Sequence, residues 1–103
     1  MEYNKLVRDR IPEIIEAEGK TYEIEVMGQE AYRVALRTKL IEEASEAAET
    51  DADLVKEIAD LYEVIDTLIS EFDLNKEAIL QKQLERRENR GSFTKRIKLL
   101  HVK

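Results

Sequence analysis

The sequence predicts a mainly α fold: a small helical bundle built on two long antiparallel helices, with a minor β element. Three observations carry this. Apolar residues recur at steps of three and four through residues 29–72, which is the helical period. Only Thr50, Asp51, Ala52 and Asp53 interrupt that region, and so short a turn sends the second helix back along the first. Residues 21–26, "TYEIEV", alternate polar and apolar side chains, the period of a strand.

The elements follow in order. Pro12, the single proline, suits the first turn of a helix, and "PEIIEAE" then runs to a stop at Gly19. The strand 21–26 closes at Gly28. A long helix is expected from about Gln29 to Glu49, on the stripe Tyr32, Leu36, Leu40, Ala44 and Ala47. "TDAD" (50–53) supplies capping side chains. The next helix spans about 53–72, with Leu54, Ile58, Leu61, Ile65, Leu68 and Phe72 inward. Asn75 caps a last helix reaching about Asn89, with Ile79, Leu80 and Leu84 inward, and Gly91 breaks it. "KRIKLLHV" (95–102) reads as a final strand, a partner for residues 21–26.

A chain of 103 residues fits one domain, 1–103. With 43% hydrophobic and 39% charged residues it reads as globular rather than disordered. The absence of cysteine excludes disulfides and thiolate chemistry. The opening "MEYNKLVRDR" lacks the apolar stretch of a signal peptide, and no apolar run approaches the roughly 20 residues that span a bilayer. A cytoplasmic location with no membrane partner is therefore expected. One layer of helices is thin, so a symmetric oligomer, a homodimer or homotetramer, is expected to cover the remaining apolar surface.

The net charge of −6 argues against binding nucleic acid backbones. Its distribution says more. Residues 40–73 hold twelve acidic side chains and one basic, a net −11, whereas residues 74–103 hold nine basic and three acidic, a net +6. Charge pairing between helices explains such a split, and so does a site holding cations and a polyanion together.

Residues 42–60, "EEASEAAETDADLVKEIAD", carry eight acidic side chains and one lysine. Glu43 and Glu46 lie three apart, as do Glu57 and Asp60, so each pair shares a helix face. Across the tight turn the two pairs fall at comparable heights and can converge. Like charges held that close repel. Mg²⁺ removes the conflict, because it prefers oxygen ligands and keeps waters that phosphates can replace. The ordinary alternative is a solvated acidic face. Other metal sites fit worse. A di-iron bundle needs Glu-x-x-His pairs, and the one histidine, His101, lies in the tail. The loop at 51–53 lacks the EF-hand pattern, with Lys56 and Tyr62 where Gly and Glu belong. There is no Walker loop and no HExxH.

"EEASE" followed by "EIAD" resembles the EExxE…ExxD signature of the MazG-like all-α nucleoside triphosphate pyrophosphohydrolases, relatives of phosphoribosyl-ATP pyrophosphohydrolase and dimeric dUTPase. "NKLVRDRIPEII" (4–15) resembles the amino-terminal block of a small single-domain branch. "RRENRGSF" (86–93) resembles its closing segment, with Ser92 where a second glycine is usual. The stretch between the acid pairs is also short. The resemblance implies that Glu43, Glu46, Glu57 and Asp60 bind Mg²⁺, with Mn²⁺ a substitute. It gives the basic groups a use as well: Lys5 and Arg8 in the first block, and Lys82, Arg86 and Arg90 along the last helix, hold phosphate oxygens of a nucleotide. Salt bridges of Lys82 with Glu85 or Glu77 are the plainer alternative. Tyr62 and Phe93 are candidates for stacking on a base, or for core.

The expected function is thus a Mg²⁺-dependent nucleotide pyrophosphohydrolase. Metal ions seated by the carboxylates would activate water and stabilise phosphoryl charge. Glu46 would orient or deprotonate the attacking water, and attack at the α-phosphorus would yield monophosphate and pyrophosphate. A noncatalytic nucleotide sensor or a helical dimerisation module keeping the same fold is the alternative.

Overall fold

The computed structural model describes residues 4–103, and every helix the sequence predicts is present. The chain divides into two compact units, one ending at Phe72 and the other running from Asp73 to Lys103. The first unit holds α1 (Ile11–Ala17), α2 (Gln29–Glu49) and α3 (Leu54–Glu71); the second holds α4 (Lys76–Arg90).

Local chemistry accounts for the boundaries. Pro12 sits in the first turn of α1, where its missing N–H costs nothing. The helix stops where Gly19 takes a left-handed φ of 77°. The Gly19 N–H then reaches the Glu16 carbonyl at 2.9 Å, and the Lys20 N–H reaches Ile15 at 3.2 Å. The Asp53 side chain accepts from the Lys56 N–H at 3.1 Å and caps α3. Asn75 does the same for α4 through the Ala78 N–H. At the far end of α4, Gly91 has φ 81° and its N–H closes on the Arg87 carbonyl at 2.7 Å.

The four-residue turn folds α3 back antiparallel to α2, and these two helices form the main packed pair. Leu36 on α2 and Val64 on α3 are the buried residues of the described chain. Leu40, Ala47, Leu61 and Leu68 are half-buried beside them. Near the N-terminus of α2, Arg33 ties α2 to the C-terminus of α3. Its Nε donates to Glu71 at 2.9 Å, its second nitrogen to the Glu71 carbonyl at 3.1 Å, and its guanidinium lies 4.6 Å from the Phe72 ring centroid.

The structure corrects the sequence reading in several places. Ala44 on α2 and Ile79, Leu80 and Leu84 on α4, expected inward, are exposed. The inward face of α3 is rotated from the expected stripe. Glu57, Asp60, Leu61, Val64, Thr67, Leu68, Ile69 and Glu71 are the less exposed positions, whereas Leu54, Ile58 and Ile65 are exposed. Both faces read as apolar in sequence, and the side facing α2 is the one that also contains the acids. The β element is a further correction. Residues 21–28 and 96–103 form no strand, and no strand occurs among the described residues. Their side chains are exposed, including Ile24, Val26, Ile97 and Leu99, so no apolar face holds them in register.

Leu36 is 2% exposed at the centre of the seam. Leu36→Ala should therefore cost about 2–5 kcal/mol in urea unfolding, a large share of the stability of a domain this small. A loss below about 1 kcal/mol would show that this seam is not the core.

Candidate metal centre

The turn-proximal end of the α2–α3 seam is where the apolar contact gives way to charge. Glu43 lies one turn beyond Leu40 on α2. Glu57 and Asp60 lie on the first two turns of α3, two turns and one turn before Val64 respectively. Each is half-buried because it stands on the face that meets the other helix. Glu43, Glu57 and Asp60 each bring one carboxylate oxygen into a group whose members all lie within 4.8 Å of one another. Three of the four acids expected to bind metal are therefore gathered. Glu46 is exposed one turn further along α2 and is outside that group.

Cations of the chain answer these charges. Arg8 donates to Asp60 Oδ1 at 2.8 Å, and Lys56 donates to Asp60 Oδ2 at 3.0 Å. The Lys56 ammonium also lies 3.6 Å from Glu57. Lys39, only 19% exposed, sits 3.6 Å from Glu43 and 3.3 Å from Glu42. The hydrogen bond from Lys56 holds the Asp60 carboxyl below the usual aspartate range, against the opposing effect of burial, and the bond from Arg8 adds to it. Its bond to Asp60 pushes the Lys56 ammonium up in turn. Lys39 and Lys56 belong to this site, and the sequence reading passed over both. Their spacing of four to Glu43 and to Asp60 was the available signal.

Other candidate residues are placed as follows. Lys5 lines an open groove of about 450 Å³ with Thr38, Lys39, Glu42, Glu43 and Glu46, so Lys5 and Glu46 border the site. Arg8 is engaged with Asp60. Lys82, Arg86 and Arg90 stand on α4 in the second unit, where Lys82 pairs with Glu85 at 3.1 Å. Tyr62 and Phe93 are exposed, 65% and 99%. At the opposite end of the seam, Tyr32, Glu63, Asp66 and Glu71 line a second open recess, but these acids form no comparable group.

The donor set suits a hard divalent cation: three carboxylate oxygens, no sulfur and no imidazole. Opposite ligands of Mg²⁺ lie about 4.2 Å apart at its usual bond length of about 2.1 Å. A group whose oxygens lie within 4.8 Å of one another is of a size that could hold such an ion.

No family model matches the sequence, and no solved structure matches it. A protein of Mycolicibacterium smegmatis, described as an uncharacterized protein, is 47% identical over 47 residues. The matched part is 46% of this chain and 48% of the relative, so the chain spans about half the length of the curated relative it matches. The chain is thus defined by its architecture, an α2–α3 hairpin with a carboxylate trio at its turn.

Because the folded state lowers the Asp60 pKa, its contribution to stability is present above the unfolded value near 3.8 and is lost as pH falls through the folded value. Metal-free protein should lose stability more steeply below about pH 5 than Asp60→Asn does. Urea unfolding across pH 7 to 3 measures this, and parallel curves would remove Asp60 from the ionic network.

Proposed function

We propose that the chain is a Mg²⁺-dependent nucleotide pyrophosphohydrolase, hydrolysing a nucleoside triphosphate or phosphoribosyl nucleotide to monophosphate and pyrophosphate. The observation that carries the reading is the convergence of Glu43, Glu57 and Asp60 across the seam. The EExxE…ExxD resemblance supports it, with Glu46 as the fourth acid. A divalent ion held there, Mg²⁺ or Mn²⁺, would bridge phosphate oxygens, acidify water and stabilise charge on the phosphoryl group.

The chain's own groups would do the rest. Glu43, Glu57 and Asp60 hold the cation. Glu46, exposed beside them on the groove wall, orients the attacking water and takes its proton. Lys5, on the same groove, and Arg8, beside Asp60, would meet phosphate oxygens. Lys82, Arg86 and Arg90, which the resemblance assigns to phosphate, stand on α4 in the other unit. The reaction needs no covalent intermediate.

Self-association into a homodimer or homotetramer belongs to the same reading. Val55, Ile58, Tyr62 and Ile65 form an apolar stripe on α3 that α2 does not cover, and such a stripe favours burial against another surface. No helix among the described residues is long and apolar enough to cross a membrane, and we place the protein in the cytoplasm with a small-molecule rather than a nucleic acid partner.

Two measurements test the reading. Mg²⁺ should raise the melting temperature, because it binds the folded state alone. The double variant Glu43→Gln with Asp60→Asn should lose most of that rise while keeping its helix content; unchanged Mg²⁺ affinity by calorimetry would refute the site. Turnover in ¹⁸O-water should place the label in the monophosphate. Label in pyrophosphate would mean attack at the β-phosphorus. No turnover across a nucleotide panel, in protein that binds Mg²⁺ and nucleotide, would make the chain a sensor instead.

A further inference from the structure

The Lys56 ammonium stands where a cation between two of the trio carboxylates would stand. It is 3.0 Å from Asp60 Oδ2 and 3.6 Å from Glu57 Oε1. Arg8 takes the other Asp60 oxygen, Oδ1, so neither oxygen of Asp60 is without a donor. Lys39 and Arg8 each touch a single carboxylate of the trio, while Lys56 spans two. Its side chain is also 61% exposed, so the ammonium can swing into solvent without disturbing the seam. Lys39, at 19%, has less room to leave.

The position of Lys56 is informative for a second reason. It lies in the first turn of α3, where the partial positive charge of the helix N-terminus disfavours a cation. The lysine also precedes its aspartate by four residues, the less favourable order for such a pair. Neither helix formation nor the helix dipole accounts for a lysine here. The two carboxylates do.

We propose that Lys56 is a tethered counter-cation of the carboxylate trio, one that holds Glu57 and Asp60 together in the metal-free protein and is displaced when a divalent ion binds. The proposal rests on the trio being a metal site. It deepens that reading by assigning a residue that sets how readily the site loads. A divalent ion bridging Glu57 and Asp60 and an ammonium bridging the same oxygens exclude one another by volume and by charge. Metal affinity is then the difference between two occupants rather than the strength of one. The released ammonium, on a stalk beside the site, becomes free to meet an anion that arrives with the metal.

Calorimetry with Mg²⁺ alone tests this on the whole chain. Lys56→Gln should bind Mg²⁺ about three- to tenfold more tightly than the parent, the range expected when an exposed ion-pair competitor is removed. Lys20→Gln makes the same change in net charge but removes a lysine paired with Glu18, so it controls for long-range electrostatics; it should stay within about twofold of the parent. In the parent, adding Mg²⁺ should raise acetylation of Lys56 relative to Lys20 in a peptide-resolved labelling experiment, because a released amine reacts faster than an ion-paired one. That second readout needs no variant. Unchanged or weaker binding in Lys56→Gln, or Lys56 labelling that ignores Mg²⁺, overturns the proposal while leaving the metal site standing. Absence of Mg²⁺ binding in the parent and the variant alike overturns both.

Discussion

Three carboxylates face one another across the turn-proximal end of the α2–α3 seam, and the surrounding ionic network answers their repulsion. Like charges about 5 Å apart repel by about 1 kcal/mol in water and about 3 kcal/mol near a protein surface. A hairpin whose buried residues are Leu36 and Val64 has little apolar stabilisation to set against that. The chain supplies positive charge instead, from Lys39 on α2, Lys56 on α3 and Arg8 ahead of α1. These pairs are partly exposed and each contributes little alone. Together they allow the acids to stand close.

The two ends of the seam are built differently. At the end away from the turn, Arg33 makes a hydrogen bond to a carboxylate, another to a backbone carbonyl, and a ring contact, so several constraints fix one geometry. Arg37 also lies over this ring, 5.0 Å from its centroid. At the turn end, long side chains of Lys39, Lys56 and Arg8 each reach one or two carboxylates. The first arrangement sets the register of α2 against α3. The second can rearrange without moving a helix, which is what a site exchanging internal cations for a divalent ion requires. Binding would then cost side-chain freedom rather than backbone strain.

How legible this was depended on how local the signal is. The caps at Asp53 and Asn75, the stop at Gly19 and the limits of α2 and α3 involve neighbours in sequence, and the residue types announce them. Which face of α3 turns inward is a tertiary matter. Leu54, Ile58 and Ile65 satisfy the helical period as well as Leu61, Val64 and Leu68 do, and only contact with α2 chooses between them. That choice also decides the site, since the face with Val64 brings Glu57 and Asp60 with it. Glu46 shared the spacing of Glu43 yet stays on the rim, because residues three apart on a helix differ in direction by about 60°. The segments at 21–26 and 95–102 have strand-like composition, but a strand exists only through a partner.

Electrostatics also constrain the order of events under the proposed reading. A nucleoside triphosphate is a polyanion, and residues 40–73 carry a net charge of −11. Approaching that segment alone, the nucleotide would meet repulsion from the acids that are meant to serve it. Neutralising the trio first lowers this barrier, and so does delivery of metal and nucleotide together. The internal cations cannot do this as well as a metal ion can. Lys39, Lys56 and Arg8 are matched one or two at a time to carboxylates already in place, so their charge is spent within the network. A divalent ion instead brings two charges to one point and keeps coordination positions that phosphate oxygens can take. Lys56, once displaced, would add a third positive charge beside the site. The lysine that stabilises the empty site would thus favour the polyanion in the loaded one, and the same side chain would serve both states without any change in the fold.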